Sequence, residues 1–221
     1  MPPTLAAIAA SKFCKEVEDS ASADGRFAIA VGYSKPEAVQ WDKLKSDQGS
    51  YDLDDKSPLL INVLIDRKKD RALAVLPLKH FGTRRSYNHE SLVAAWSEKG
   101  SHLIAMQSWK WHTEAAVLYR LDGDGRVTSQ LDLLPVAKEQ LRQTLAKKDA
   151  EAAKVFDSKY AVDLSEPQVN DLGEVSLDAI AEVPKSEDAV PVSLKIRFKA
   201  AAGADGKFTV SDLKAEEDKE E

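Results

Sequence analysis

The residues best suited to chemistry lie between positions 79 and 91, in the sequence KHFGTRRSYNHES. Arg84 and Arg85 stand together shortly after an apolar run, and a guanidinium group can hold a carboxylate or phosphate through two parallel hydrogen bonds. Loops at strand ends commonly carry binding residues. The segment predicts a site for a small anion or a partner, to which His80 and His89 also belong. Alternatively, the two arginines are solvated or pair with surface carboxylates.

A second candidate site lies in SHLIAMQSWKWHTEAAVLYRL, residues 101–121. One strand of that length would extend about 70 Å at roughly 3.3 Å per residue, which is too long for a domain of this size. We therefore expect the chain to bend near residues 108–113. A wide loop would expose Trp109, Trp111 and His112 as a partner-binding tip. A bent strand would bury both tryptophans on one face, and we expect at least one of them to be buried.

Neither a cofactor nor a metal is predicted. The sequence has no zinc-protease, nucleophile-elbow, phosphate-loop or dinucleotide motif. The histidines at positions 80, 89, 102 and 112 lack the close spacing that places two ligands on one face of a helix or strand. The single cysteine, Cys14, excludes an internal disulfide and a multi-cysteine metal site. No residue is singled out as a catalytic nucleophile, so the sequence favours a protein that is not an enzyme.

The elements that must position these residues are mainly strands. Helical spacing of apolar residues predicts one helix over residues 4–19 and a longer one over 134–156, with Leu141, Leu145, Ala152 and Phe156 on its packed face. Short apolar runs bounded by turn residues predict a hairpin over 59–78 and further antiparallel strands over 92–131 and 175–213. The expected fold class is α+β, predominantly antiparallel β, with β-meanders, an N-terminal helix and a long helix packed on the sheet.

The clearest strand pattern lies in VPVSLKIRFKA, where Val190, Val192, Leu194, Ile196 and Phe198 alternate with polar or basic residues. Such alternation predicts one buried face and one basic face in water. Residues 157–174 are polar and rich in turn formers. We expect residues 1–211 to form a single domain, with 157–174 as the boundary if there are two parts, spanning 20–156 and 175–213. Residues 214–221 are expected to form a disordered acidic tail.

Three stretches share a turn pattern: SADGRFAIAV at residue 22, WSEKGSHLIAM at residue 96 and GADGKFTVSDL at residue 203. The second resembles the blade signature of TolB-like and WD40-like β-propellers, over about residues 66–131. The resemblance implies blade-like antiparallel sheets and an interaction role, and it carries over no catalytic residue. Gly25, Gly100 and Gly206 are 75 and 106 residues apart, whereas blades recur about every 40 to 45 residues, so a complete propeller is not expected. The alternative is a common Asp-Gly hairpin turn.

The composition and charge of the chain limit the classes of partner that it is expected to bind. The chain has 221 residues, 43% of them hydrophobic, and a net charge of −6. Residues 212–221 contribute −4 of that charge, so the rest is near neutral and predicts neither nucleic-acid binding nor attraction to anionic lipid. The first apolar run is too short to cross a membrane, and we predict no membrane insertion. If a signal segment precedes these residues, we expect a periplasmic or secreted location, and otherwise a cytoplasmic one.

Three functions are compatible with these sequence features. The first is a non-catalytic binding domain that uses loops of an antiparallel β scaffold to hold a protein, a peptide or a glycan. The second is a hydrolase-like enzyme in which Arg84, Arg85, His89 and His112 converge on one anion-binding pocket. The third is a structural or assembly subunit that is completed through an apolar patch or an edge strand. The sequence does not indicate an oligomeric state.

Overall fold

In the part of the chain that it describes, the computed structural model contains three four-stranded antiparallel sheets. The structure describes residues 15–35, 60–81, 90–186, 189–203 and 205–217. Within these ranges the fold is α+β with mostly antiparallel strands, as predicted from the sequence. Among the described residues, no helix is both long enough and apolar enough to cross a membrane.

The first sheet holds strands β1 to β4 in sequential order. Their bounds are β1 Lys15–Glu16, β2 Phe27–Tyr33, β3 Leu60–Asp66 and β4 Arg71–Leu76. Strands β2 and β3 have side chains buried on both faces, as the unbroken apolar run in β3 predicted. The helix predicted over residues 4–19 does not include residues 15–19, because Lys15 and Glu16 form a strand that pairs with β2 and a turn follows. The remainder of that helix, residues 4–14, lies outside the described residues.

The second sheet lies between the other two, and its two central strands are largely buried on both faces. Its strands are β5 Glu90–Trp96, β6 His102–Trp109, β7 His112–Leu121 and β8 Val127–Asp132. Successive residues of a strand point to opposite faces. On β6, Leu103 and Ala105 pack against the first sheet, while Ile104 and Met106 pack against the third sheet and a helix.

Three helices follow within the described residues: α1 Leu133–Lys148, α2 Ala150–Lys154 and α3 Phe156–Lys159. The expected single helix is interrupted at Asp149, whose carboxylate accepts hydrogen bonds from the backbone N–H groups of Glu151 and Ala152. Its packed face is as predicted, since Leu141, Leu145 and Phe156 are buried against the second and third sheets.

The third sheet comprises four strands, one more than predicted. They are β9 Ala161–Val169, β10 Glu174–Glu182, β11 Val192–Ala202 and β12 Phe208–Glu217. Strand β9 occupies the stretch interpreted as a polar, turn-rich connection. Its pairing with β10 shifts register beside Glu166, which has a positive φ of 49°, so a bulge hides the alternation in the sequence.

Two further expectations about this sheet are corrected. Val190 is 38% exposed, because β11 begins at Val192 and Pro191 precedes it. Residues 214–217, expected in a disordered tail, belong to β12, where Glu217 lies opposite Leu194 and forms an ion pair with Lys148. Residues 218–221 lie outside the described residues.

Candidate functional site

Residues 79 and 80, which precede the predicted arginine site, are held in place by two buried amide side chains. The backbone N–H of Lys79 donates to Oε1 of Gln107 at 2.6 Å. His80 makes two bonds with Asn62: its N–H donates to Oδ1 at 2.9 Å, and its carbonyl accepts from Nδ2 at 2.7 Å. Asn62 and Gln107 are almost completely buried, in the first and second sheets. They therefore hold residues 79–80 against both sheets.

His80 is a neutral side chain at neutral pH. Burial lowers the pKa of its imidazole, and the nearby Lys15 ammonium lowers it further. Its Nδ1 atom lies 3.8 Å from a carboxylate oxygen of Glu90. Because the ring is uncharged, this contact is not an ion pair near pH 7. It places His80 beside the first residue of β5.

The β6–β7 hairpin ends in a tight turn formed by Lys110 and Trp111. Trp109 lies directly opposite His112, so the strands continue to the turn, and neither a wide loop nor a bent single strand forms. The register shifts at Glu114, which leaves one extra residue on β7. Such a bulge increases the local twist, which allows a hairpin to close without the glycine or asparagine usual in two-residue turns.

The two tryptophans of this hairpin have different environments. Trp111 is 58% exposed at the tip, and the Lys110 ammonium lies 4.9 Å from the centre of its ring. Trp109 is partly buried. Neither is part of the buried core, which corrects the expected burial of at least one.

Several predicted site residues meet at this end of the second sheet. Glu90, Trp109 and His112 form a row across β5, β6 and β7, and His80 lies beside Glu90. The structure thus brings His80, Trp109, Trp111 and His112 to one end of the molecule. Three further predicted site residues, Arg84, Arg85 and His89, lie outside the described residues. The binding role of all seven stays a prediction.

Thr113 fixes the hairpin to the third sheet close to its turn, one residue pair below Trp109 and His112. Its hydroxyl donates to Asp163 at 2.9 Å and accepts the backbone N–H of Leu164 at 2.8 Å. Because the only hydroxyl proton of Thr113 goes to that carboxylate, the 2.9 Å contact with Ser108 is donated by Ser108. Leu164 is on β9, an edge strand, so this hydroxyl satisfies an edge amide that would otherwise be buried without a partner.

A groove of about 330 Å³ opens beside the hairpin, on the side of the helices. His112 and Thr113 line it together with Lys138, Lys159 and Tyr160. Neither lysine forms an ion pair with any residue in the described part of the chain, whereas Asp157 in the same groove is paired with Arg142. The groove therefore has an excess of positive charge.

Sequence reasoning missed both lysines and Tyr160. Lys138 lies on α1, for which only the packed apolar face was predicted, and Lys159 stands just before β9, a strand that was not predicted. Their nearness to His112 arises because β9 packs on β6 and β7. No local pattern could have indicated this contact.

No protein-family model matches this chain, and no curated protein matches it. Among the described residues, no group of three or more His, Cys, Asp or Glu side chains is placed to hold a metal ion. The inference about function therefore depends on the geometry of the site.

Proposed function

We propose that this chain is a non-catalytic binding module that holds an acidic peptide segment of a partner protein at the tip of the β6–β7 hairpin. The observation that carries the proposal is the 58% exposure of Trp111 at the tip of a hairpin that Thr113 fixes close to its turn. Tryptophan is enriched among the residues that dominate binding energy in protein interfaces. A rigid support lowers the entropy lost on binding.

The charge around Trp111 favours an acidic partner. Lys110 lies over its ring, and Lys138 and Lys159 line the adjacent groove without ion-pair partners in the described part of the chain. Carboxylates of a peptide would pair with these ammonium groups, while an apolar side chain would pack on the indole. The resemblance of residues 96–106 to a propeller blade turn also supports an interaction role.

The expected contribution of Trp111 follows from its exposed area. A tryptophan buries about 250 Å² when it is covered completely, so 58% exposure leaves roughly 145 Å² to bury. At about 25 cal/mol per Å² this area is worth up to about 3.6 kcal/mol. Part of the tip stays exposed in a complex, so we expect Trp111→Ala to weaken binding by about 2 kcal/mol, which is roughly 30-fold.

The test begins with selection of 12-residue peptides from a displayed library on the full chain. Selected peptides should be rich in Asp and Glu and contain an apolar residue. Their affinity should fall about 30-fold with Trp111→Ala and should be unchanged with the matched control Leu172→Ala, since Leu172 is 68% exposed in the turn between β9 and β10. Peptides that bind both variants as well as the unaltered chain would contradict the proposal.

The two groove lysines supply a second, independent test. Lys138→Gln and Lys159→Gln should each weaken binding at low salt, with a smaller effect at high salt, because exposed charges are screened. Lys154→Gln is the control, since that lysine is exposed and paired with Glu151 on α2. An equal effect of all three substitutions would show that the groove has no special role.

A further inference from the structure

The outer face of the third sheet carries a groove of about 540 Å³, within the usual range for small-ligand pockets. It lies away from the second sheet and the helices, because the opposite face of β10 and β11 forms the core. The basic face predicted for β11 is part of this groove.

One row of the groove crosses all four strands in register. Gln168, Ser176, Arg197 and Lys214 are successive partners on β9, β10, β11 and β12. Like charges directly opposite each other destabilise a sheet. Arg197 opposite Lys214 is therefore an unfavourable pair for folding alone.

A third cation, Lys199, lies two residues further along β11 and also lines the groove. Arg197 forms an ion pair with Glu216, with 3.4 Å between Nη1 and Oε2. Lys199 and Lys214 form no ion pair with any described residue. By contrast, Lys195 on the same face is paired with Asp178 at 3.6 Å and does not line the groove. Two carboxylates, Asp212 and Glu216, line the groove at the same end, so its three cations leave an excess of one positive charge there.

The other end of the groove is lined by neutral and acidic hydrogen-bonding groups. They belong to Gln168, Asn170, Glu174 and Ser176. Asn170 Nδ2 donates to Glu174 at 2.6 Å, which holds both side chains in place. Amide, hydroxyl and carboxylate groups of this kind suit the hydroxyl groups of a sugar.

Bulges flank the groove on both edge strands. Glu166 on β9 and Asp212 on β12 have positive φ values of 49° and 55°, and the register shifts beside each of them. Such backbone conformations are uncommon for residues other than glycine and are over-represented next to functional sites, where bulges bend a strand.

We propose that this groove binds an acidic saccharide, with its phosphate or carboxylate at Arg197, Lys199 and Lys214 and its hydroxyl groups at the β9–β10 end. The shared chemistry is an oxyanion attached to a body rich in hydroxyl groups. A bound anion would offset the repulsion between Arg197 and Lys214. The amide and carboxylate groups at the other end would hydrogen-bond to the hydroxyl groups of the sugar. This site is separate from the hairpin tip and does not depend on the function proposed for it.

The experiment is a titration of the full-length protein, followed by the backbone amide signals of Ser176, Arg197, Lys199 and Lys214. The probes are glucose 6-phosphate, glucuronate, glucose and inorganic phosphate. Saturable shifts with either acidic sugar support the proposal, and the stronger of the two identifies the anion. Glucose and inorganic phosphate should each bind at least about tenfold more weakly than that sugar, since each lacks one half of the contacts.

Two lysine variants distinguish binding at this groove from nonspecific attraction between an anion and surface cations. Lys214→Gln should weaken binding about tenfold or more, because it removes a charge-assisted contact, whereas Lys195→Gln should change it less than about twofold. Lys214→Gln should also leave the midpoint of urea unfolding equal or higher, since it removes a repulsive pair. The proposal is overturned if neither acidic sugar gives saturable shifts, if inorganic phosphate alone binds as well, or if the two lysine variants weaken binding equally.

Discussion

Replacing Thr113 by valine tests whether the hairpin is supported as described. Valine keeps the shape of threonine but removes the oxygen that accepts the N–H of Leu164 and donates to Asp163. Thr113 is only 5% exposed, so water cannot readily replace that oxygen. The buried amide of Leu164 would lose its partner, which costs about 1–3 kcal/mol.

The carboxylate contributes less to this cost, because Asp163 is exposed and water can solvate it. We therefore expect Thr113→Val to lower the free energy of unfolding by about 2–3 kcal/mol. Thr113→Ser is the matched control, since it keeps the hydroxyl and removes one buried methyl group at a cost of about 1 kcal/mol.

The assay is urea unfolding followed by tryptophan fluorescence, combined with hydrogen exchange of the Leu164 amide. Thr113→Val should accelerate that exchange far more than Thr113→Ser does. If valine and serine variants are equally stable, or if the Leu164 amide stays equally protected in both, the hydroxyl does not support the hairpin and the reasoning is refuted.

Other consequences of the structure are also testable. Asp66 is fully buried and accepts hydrogen bonds from Arg26 and from two backbone N–H groups. Asp66→Asn should therefore lower the free energy of unfolding in urea by about 2–4 kcal/mol. Asp124→Asn is the control, and it should cause no measurable loss because its ion pair is exposed. Equal losses would show that burial is not the cause. Burial lowers the pKa of His102, and the nearby Arg120 lowers it further against the opposing effect of Asp171. The contribution of neutral His102 to the free energy of unfolding should thus be fully present above the ordinary histidine pKa of about 6.5. It should fall as the pH drops from about 6.5 towards the lowered pKa of the folded state. An NMR titration of the ring that gives a pKa at or above 6.5 would contradict this.

The sequence predicted those elements in which local pattern and burial agree. On β11, Leu194, Ile196 and Phe198 are buried while Lys195 and Arg197 face water, as the alternation indicated. The packed face of α1 follows from helical spacing in the same way. In both cases the period of the apolar residues matches the period of the backbone.

The features that were missed depend on irregular backbone or on distant contacts. The bulge at Glu166 shifts the alternation of β9, and the bulge at Glu114 allows a tight turn at Lys110 and Trp111 that the residue types do not favour. The nearness of His112 to Lys138 and Lys159 is set by how sheets and helices pack. A single sequence does not contain that information in any local pattern.

The most direct test of the proposed binding function is an NMR titration of the tryptophan indole N–H signals with a selected acidic peptide. The signals of Trp111 and Trp109 would be assigned with Trp111→Phe and Trp109→Phe variants. We predict that the Trp111 signal shifts and saturates with the bound fraction, while that of Trp96, whose N–H donates to the Ser20 carbonyl at 3.0 Å, stays unchanged. A peptide that binds fully without moving the Trp111 signal would contradict the account.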